Sequence, residues 1–420
     1  MDVHDGKVGH AMHPLSGRSR FGGCGLGTVT LVFLVGAGFI SGVTFAPYVS
    51  VPAASLEENL FQVLQKGAQR LRTVAEVPLT HTHTSSGQIP LIYLFFDGQV
   101  TRNASRPCGS AWTGTLKSFP DYFVNLLAVS LVHVPEVILL TDTALEASLR
   151  EMLPQNLSQK LRVVDYLCYV DQDFFRFEQL YSDEIKHGPV GLKEPWEKMN
   201  YLNFFVLRTW MNRNQVQHVG HAEADVAVLV PPHLPTSCDS VVLWEIPSNK
   251  SPFYWAAWAA AGNVLSKDLM EDFIQFMFAM YSERKYQMLL EQKARRAPYV
   301  CQMSSWYLYV MASNDQNGTA WSFQRPDISS DPLPTTKGFK VCNGFYPFEG
   351  HVWDNMHAWG GFHTAPGPLS MKVVDGKIVA MKGGASLNNM HFQGGSKNEA
   401  KARLVDLLGL KLRKASLGTR

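Results

Sequence analysis

Apolar residues in this chain gather in short runs separated by amphipathic stretches. The run IPLIYLFF (residues 89–96) has strand-forming composition and stops at Asp97-Gly98. A second run, PEVILLTD (135–142), also stops at an Asp, and ALEASLREML behind it has helical spacing. LRVVDYLCYVD (161–171) predicts a third strand, and EPWEKMNYLNFFVLRTWMN (194–212) predicts a helix. Strand character returns in HVGHAEADVAVLVP (218–231). Strands alternating with helices predict an α/β domain built on a largely parallel sheet with helices on its faces. Such sheets bind ligands beyond the carboxyl ends of their strands, and Asp97, Asp142, Glu223 and Asp225 all fall at or near such ends. For Asp97 and Asp142 a turn or cap is the ordinary use.

The N-terminal pattern is of another kind. No charged residue occurs from Phe21 to Leu56, and LGTVTLVFLVGAGFISGVTFAPYV (26–49) lies within that stretch. About 20 apolar residues suffice to span a bilayer. Lys7, Arg18 and Arg20 precede the run and Glu57 and Glu58 follow it, which predicts a cytosolic tail (1–25), a signal anchor (26–49) and a lumenal remainder. A cleaved signal peptide is the alternative and leads to the same compartment. Residues 55–77 have helical periodicity up to Pro78, and THTHTSSGQ (80–88) has linker composition. Residues 50–88 therefore read as a stem and linker, through which a homo-oligomer is expected, 89–410 as the folded body and 411–420 as a tail.

Composition narrows the partners. The 38 Lys+Arg against 36 Asp+Glu leave no domain-scale basic bias, which argues against nucleic acid. Cys108, Cys168, Cys238, Cys301 and Cys342 are enough for two disulfides and a remaining thiol, consistent with an oxidising lumen, and their pairing is left open. Asn103, Asn156 and Asn317 head acceptor sequons for N-glycosylation.

The chemistry centres on Glu223 and Asp225. If the strand continues through them, residues i and i+2 face one side together. Two bare carboxylates buried side by side cost several kcal/mol each unless a cation joins them. Oxygen ligands suit Mn²⁺ or Mg²⁺, which keep positions open for phosphate oxygens. A solvated turn is the alternative reading. Near the C-terminus, His391-Phe392-Gln393-Gly394-Gly395-Ser396-Lys397 offers a third metal ligand in His391, close backbone approach at Gly394 and a phosphate-neutralising charge at Lys397.

With these motifs the chain resembles the GT-A glycosyltransferases, which move sugars from nucleotide-diphosphate sugars to acceptors. HAEADVAVL is similar to their D-x-D motif, with Glu223 in the first acidic position and Asp225 in the second. HFQGGSK is similar to the late H-x-x-G-x-x-K element of the glycogenin-like group, and the two motifs come in the same order. The resemblance implies a GT-A-like, Rossmann-related fold over roughly residues 89–410. It also implies a metal held by Glu223, Asp225 and His391, with Asp97, Lys198, Gly394 and Lys397 around the donor's nucleotide and diphosphate. The stretch SPFYWAAWAAAGN implies Trp255, Gly262 and Asn263 as substrate contacts, at the end of a loop that leads into a long helix. An inverting reaction needs a carboxylate base, for which Asp268, Glu271, Asp272 and Asp354 are candidates, whereas a retaining one does not. The acceptor is expected to be a glycan, glycoprotein or glycolipid of the Golgi or endoplasmic reticulum, and the protein a single-pass type II membrane protein. A catalytically inactive sugar-binding relative and a metal-dependent lumenal phosphoesterase remain open alternatives.

Overall fold

The computed structural model describes residues 88–95, 108, 118–181, 194–242, 261–296, 302–316, 333–343, 351–352, 369–382, 384–392, 397 and 399–413, all in the unit Val74–Arg420. The apolar segment 26–49 lies outside these, and among the described residues no helix is long and apolar enough to cross a membrane.

Strands β1 (Leu91–Leu94), β2 (Val137–Thr141), β3 (Leu161–Asp165) and β4 (His218–Ala222) open the main sheet. The short β5 (Val226–Val228) departs from it, and β6 (Ser240–Val242), β7 (Ala261–Ser266) and β8 (Val341–Asn343) complete it. The spatial order is β3-β2-β1-β4-β7-β6-β8. β1 lies parallel to both β2 and β4, β2 to β3, and β6 to β8, while β7 runs antiparallel to β4 and β6. One strand thus opposes the rest of a mostly parallel sheet. The chain builds outward from β1 to β3 and then returns to the other side of β1. The carboxyl ends of β1 and β4 therefore flank a topological switch point, the place where open α/β sheets form a crevice.

The helices are α1 (Asp121–His133), α2 (Glu146–Met152), α3 (Gln155–Ser158), α4 (Gln172–Leu180), α5 (Glu194–Asn214), α6 (Lys267–Ser282), α7 (Arg284–Arg296) and α8 (Gln302–Gln316). Alternation along β1 explains its uninterrupted apolar run. Leu91 and Tyr93 join the core beneath α1, and Ile92 and Leu94 join the core shared with α5, α6 and α8. Burial on both faces leaves no place for a polar residue. Helix α5 is held between the sheet and α4, α6 and α8, so Tyr201, Leu202, Phe205, Val206 and Trp210 are all buried.

A smaller sheet follows in the order β10-β11-β12-β9, from β9 (His351–Val352), β10 (Leu369–Val374), β11 (Lys377–Lys382) and β12 (Ala385–Leu387). Asp375 and Gly376 turn β10 into β11 at φ 50° and 73°, as a two-residue hairpin whose twist matches its strands requires. Strand β13 (Asn389–His391) then pairs antiparallel with β5. His133, at the end of α1, fastens this region by accepting the Ile378 N–H at Nε2 over 3.2 Å. Disulfides join Cys108 to Cys168 and Cys238 to Cys342, the latter tying the approach to β6 onto its neighbour β8.

Two local expectations change, the extent of the third strand and the place of Gly262 and Asn263, while Asp142 keeps the capping use expected of it. The third strand ends at Asp165, whose side chain accepts the Leu167 N–H at 3.0 Å and starts a 3₁₀ turn over Tyr166–Tyr169. Asp171 caps α4 through the Phe174 N–H at 3.0 Å, and Asp142 likewise accepts from Ala144 at 2.9 Å. Gly262 and Asn263, expected at the end of a loop, instead belong to β7, a central strand between β4 and β6.

Candidate metal and phosphate site

β4 stops at Ala222. The Glu223 carbonyl accepts the Val226 N–H at 3.1 Å, so Glu223 and Asp225 sit in a tight turn and not on a continuing strand. Alternation therefore does not set their directions. The turn is needed because β5 must leave the main sheet to meet β13. Upstream, Gly220 makes room for this departure: a Cβ there would lie 2.3 Å from the Pro232 ring.

Pairing with β5 carries the distant tail into the turn. His391 lies opposite Val226, and the Phe392 N–H donates to the Asp225 carbonyl at 2.7 Å. Asp225, 8% exposed, meets His391 Nε2 at 3.3 Å through Oδ1 and Lys397 Nζ at 3.0 Å through Oδ2. The histidine approach is long for a hydrogen bond, and Oδ1 has no other partner. Burial alone would raise the Asp225 pKa, but His391 and then Lys397 outweigh it and hold the carboxyl at about 2. Burial would lower Lys397, and attraction to Asp225 reverses this, so the ammonium persists. Lys397 also stands 4.7 Å from the centre of the Tyr122 ring.

These groups border a cavity of about 270 Å³ over the carboxyl edge of the sheet. Leu94 and Phe95 enter it from the end of β1, Tyr122 from α1, and Met199, Asn200 and Asn203 from α5. Glu223, Ala224, Asp225 and Lys397 complete the lining, so the cavity opens at the switch point between β1 and β4. Asn200 is 8% exposed, and its Nδ2, like Oδ1 of Asn203, is buried without a hydrogen-bond partner. Each such atom costs the fold about 1–3 kcal/mol. Neither asparagine was expected from the sequence. The signal was available, since two amides three residues apart interrupt an otherwise apolar helix in MNYLNFF.

A divalent cation fits part of the expected ligand set. Oxygen ligands lie about 2.1 Å from Mg²⁺, which puts neighbouring octahedral positions about 3 Å apart. The 3.3 Å between Asp225 Oδ1 and His391 Nε2 suits such a pair. Glu223 lines the cavity, but Glu223, Asp225 and His391 do not bring three ligand atoms within 4.8 Å of one another. Among the described residues such a group occurs at Cys108, Asp165 and Cys168, whose cysteines are joined as a disulfide.

Other expected site residues lie elsewhere. β7 runs antiparallel to β4, pairing Ser266 with His218, so α6 begins at the edge of the sheet opposite Asp225. Asp268, exposed in the first turn of α6, is thereby separated from the cavity, as are Glu271 and Asp272. Glu271 pairs with Arg208 at 2.9 Å, in a network where Arg208 also holds Asp171 and Asp173. Asp272 is buried and accepts from Tyr309 Oη at 3.0 Å and from the Lys337 N–H at 2.9 Å. These partners give both residues structural work, and none of the three lines the cavity beside Asp225. Lys198 faces Glu178 at 3.9 Å and is absent from the cavity lining. Asn263 is buried opposite His221, also away from the lining. Asp97, Trp255, Asp354 and Gly394 lie outside the described residues.

No family model matches the chain, and no curated protein does.

Proposed function

We propose that the protein is a metal-dependent glycosyltransferase that takes a sugar from a nucleotide-diphosphate donor, carried on a type II anchor in the Golgi or endoplasmic reticulum membrane. The observation that carries this reading is the convergence of Asp225, His391 and Lys397 on one cavity at the switch point of the sheet. Asp225 and His391 would hold a Mn²⁺ or Mg²⁺ ion. An ion held there would supply positive charge against the negative charge that develops on the departing diphosphate. Lys397, a permanent ammonium within reach of the same carboxylate, adds positive charge for those oxygens. Of the carboxylates offered as a base, Asp268, Glu271 and Asp272 are displaced from the cavity, which favours retention or a base among the cavity's own carboxylates.

The test is calorimetric titration of nucleoside diphosphates into the full-length chain with Mn²⁺ and with chelator. Wild type is expected to bind only with the metal, and Asp225→Ala to abolish that binding while the protein stays folded. Wild-type affinity in the variant would remove the support for this site.

A further inference from the structure

We propose that Asn200 and Asn203 form the subsite for the donor's glycosyl group, and that this group is a neutral, hydroxyl-bearing ring and not an acidic sugar. The inference rests on reading the cavity as a nucleotide-sugar site. The two asparagines are separated by one helical turn and so share one face of α5, beside Met199 on the same wall. One supplies a buried donor without a partner, Asn200 Nδ2, and the other a buried acceptor without a partner, Asn203 Oδ1. The terminal amide torsion is broad, so either atom can be turned toward a ligand without leaving its rotamer well.

The hydrogen-bonding inventory selects the ligand. Phosphates and ionised carboxylates only accept, so with the amides oriented as they stand they leave Asn203 Oδ1 unsatisfied. A hydroxyl both donates and accepts, and two neighbouring hydroxyls on a ring match a donor and an acceptor side by side. Charge points the same way. Among the described residues that line the cavity, two carboxylates, Glu223 and Asp225, face a single ammonium, Lys397, which already serves Asp225. With the cation and Lys397 engaged by the diphosphate, no further cation among the described lining residues would meet a sugar carboxylate, and the apolar surface of Leu94 and Met199 suits the C–H face of an uncharged ring. The anionic part of the donor then belongs to the Lys397 and His391 cluster, and the uncharged part to the asparagines.

The experiment compares UDP, UDP-glucose, UDP-N-acetylglucosamine and UDP-glucuronate, with GDP and GDP-mannose in parallel, on the detergent-solubilised full-length chain in Mn²⁺. A neutral nucleotide sugar is expected to bind about tenfold tighter than its parent diphosphate, as two added hydrogen bonds provide. UDP-glucuronate is expected to show no such margin. Asn200→Leu and Asn203→Leu should each erase the margin, leave diphosphate affinity within about twofold, and unfold at or above the wild-type temperature. Variants that keep the margin, or a glucuronate that binds best, would overturn the subsite and leave the glycosyltransferase reading intact. A wild-type protein that binds none of these nucleotides under any metal condition would overturn both.

Discussion

Replacing Asp225 by Asn keeps the shape of the turn and deletes the charge on which His391 and Lys397 converge. The gap between a carboxyl held at about 2 and the ordinary 3.8 corresponds to about 2 kcal/mol of folding stability. Because the folded-state pKa is depressed, that stability is present above pH 3.8 and is lost as pH falls toward 2. At pH 7 the Asn variant should therefore lose all of it, the pairing with Lys397 included. In a domain of this size 1 kcal/mol moves the midpoint by about 2 °C, so a fall of about 4 °C is expected in metal-free buffer. Lys397→Met should cost a similar amount, and the double variant little more than either, with a coupling of about 1–2 kcal/mol. Thermal and urea unfolding of the three variants measure this cycle. An Asp225→Asn protein as stable as wild type at pH 7, or a double variant whose losses simply add, would refute the argument that these groups form one electrostatic unit.

Two more outcomes concern the frame around the site. His133 is buried with its pKa lowered to about 4, chiefly by desolvation, so it is neutral in the fold and charges more readily when unfolded. Stability should be full above pH 6.5 and fall by about 3 kcal/mol between pH 6.5 and 4, and His133→Gln should flatten that part of the profile in urea titrations. The Cys238–Cys342 bridge closes a loop over a separation of 104 residues, so the paired Cys→Ser variant should lose about 4 kcal/mol in non-reducing unfolding, and an unchanged midpoint would count against this pairing.

Much of the architecture was legible along the chain because burial on both faces of a parallel sheet leaves uninterrupted apolar runs. β1 and β2 sit where IPLIYLFF and PEVILLTD indicated, and α5 where the helical pattern did. Boundaries were misread where a polar side chain bonds its own backbone. Asp165 and Asp171 end a strand and begin a helix inside LRVVDYLCYVD, and apolar content alone does not report that competition. Gly262 and Asn263 were misread because a glycine beside an aromatic stretch looks like a loop, whereas their place is set by pairing with β4, a partner distant in the chain.

By itself, then, the sequence determined the α/β class, the acidic pair Glu223 and Asp225 and the histidine and lysine near the end, since each is written in local period or residue type, whereas the turn that carries the pair was not. Tertiary structure alone decided which of these meet. Antiparallel pairing of β13 with β5 brings His391 to Asp225, and a strand that opposes its neighbour sends Asp268, Glu271 and Asp272 to the far edge of the sheet. Strand order and direction depend on contacts between residues far apart in the chain, and no local pattern encodes them.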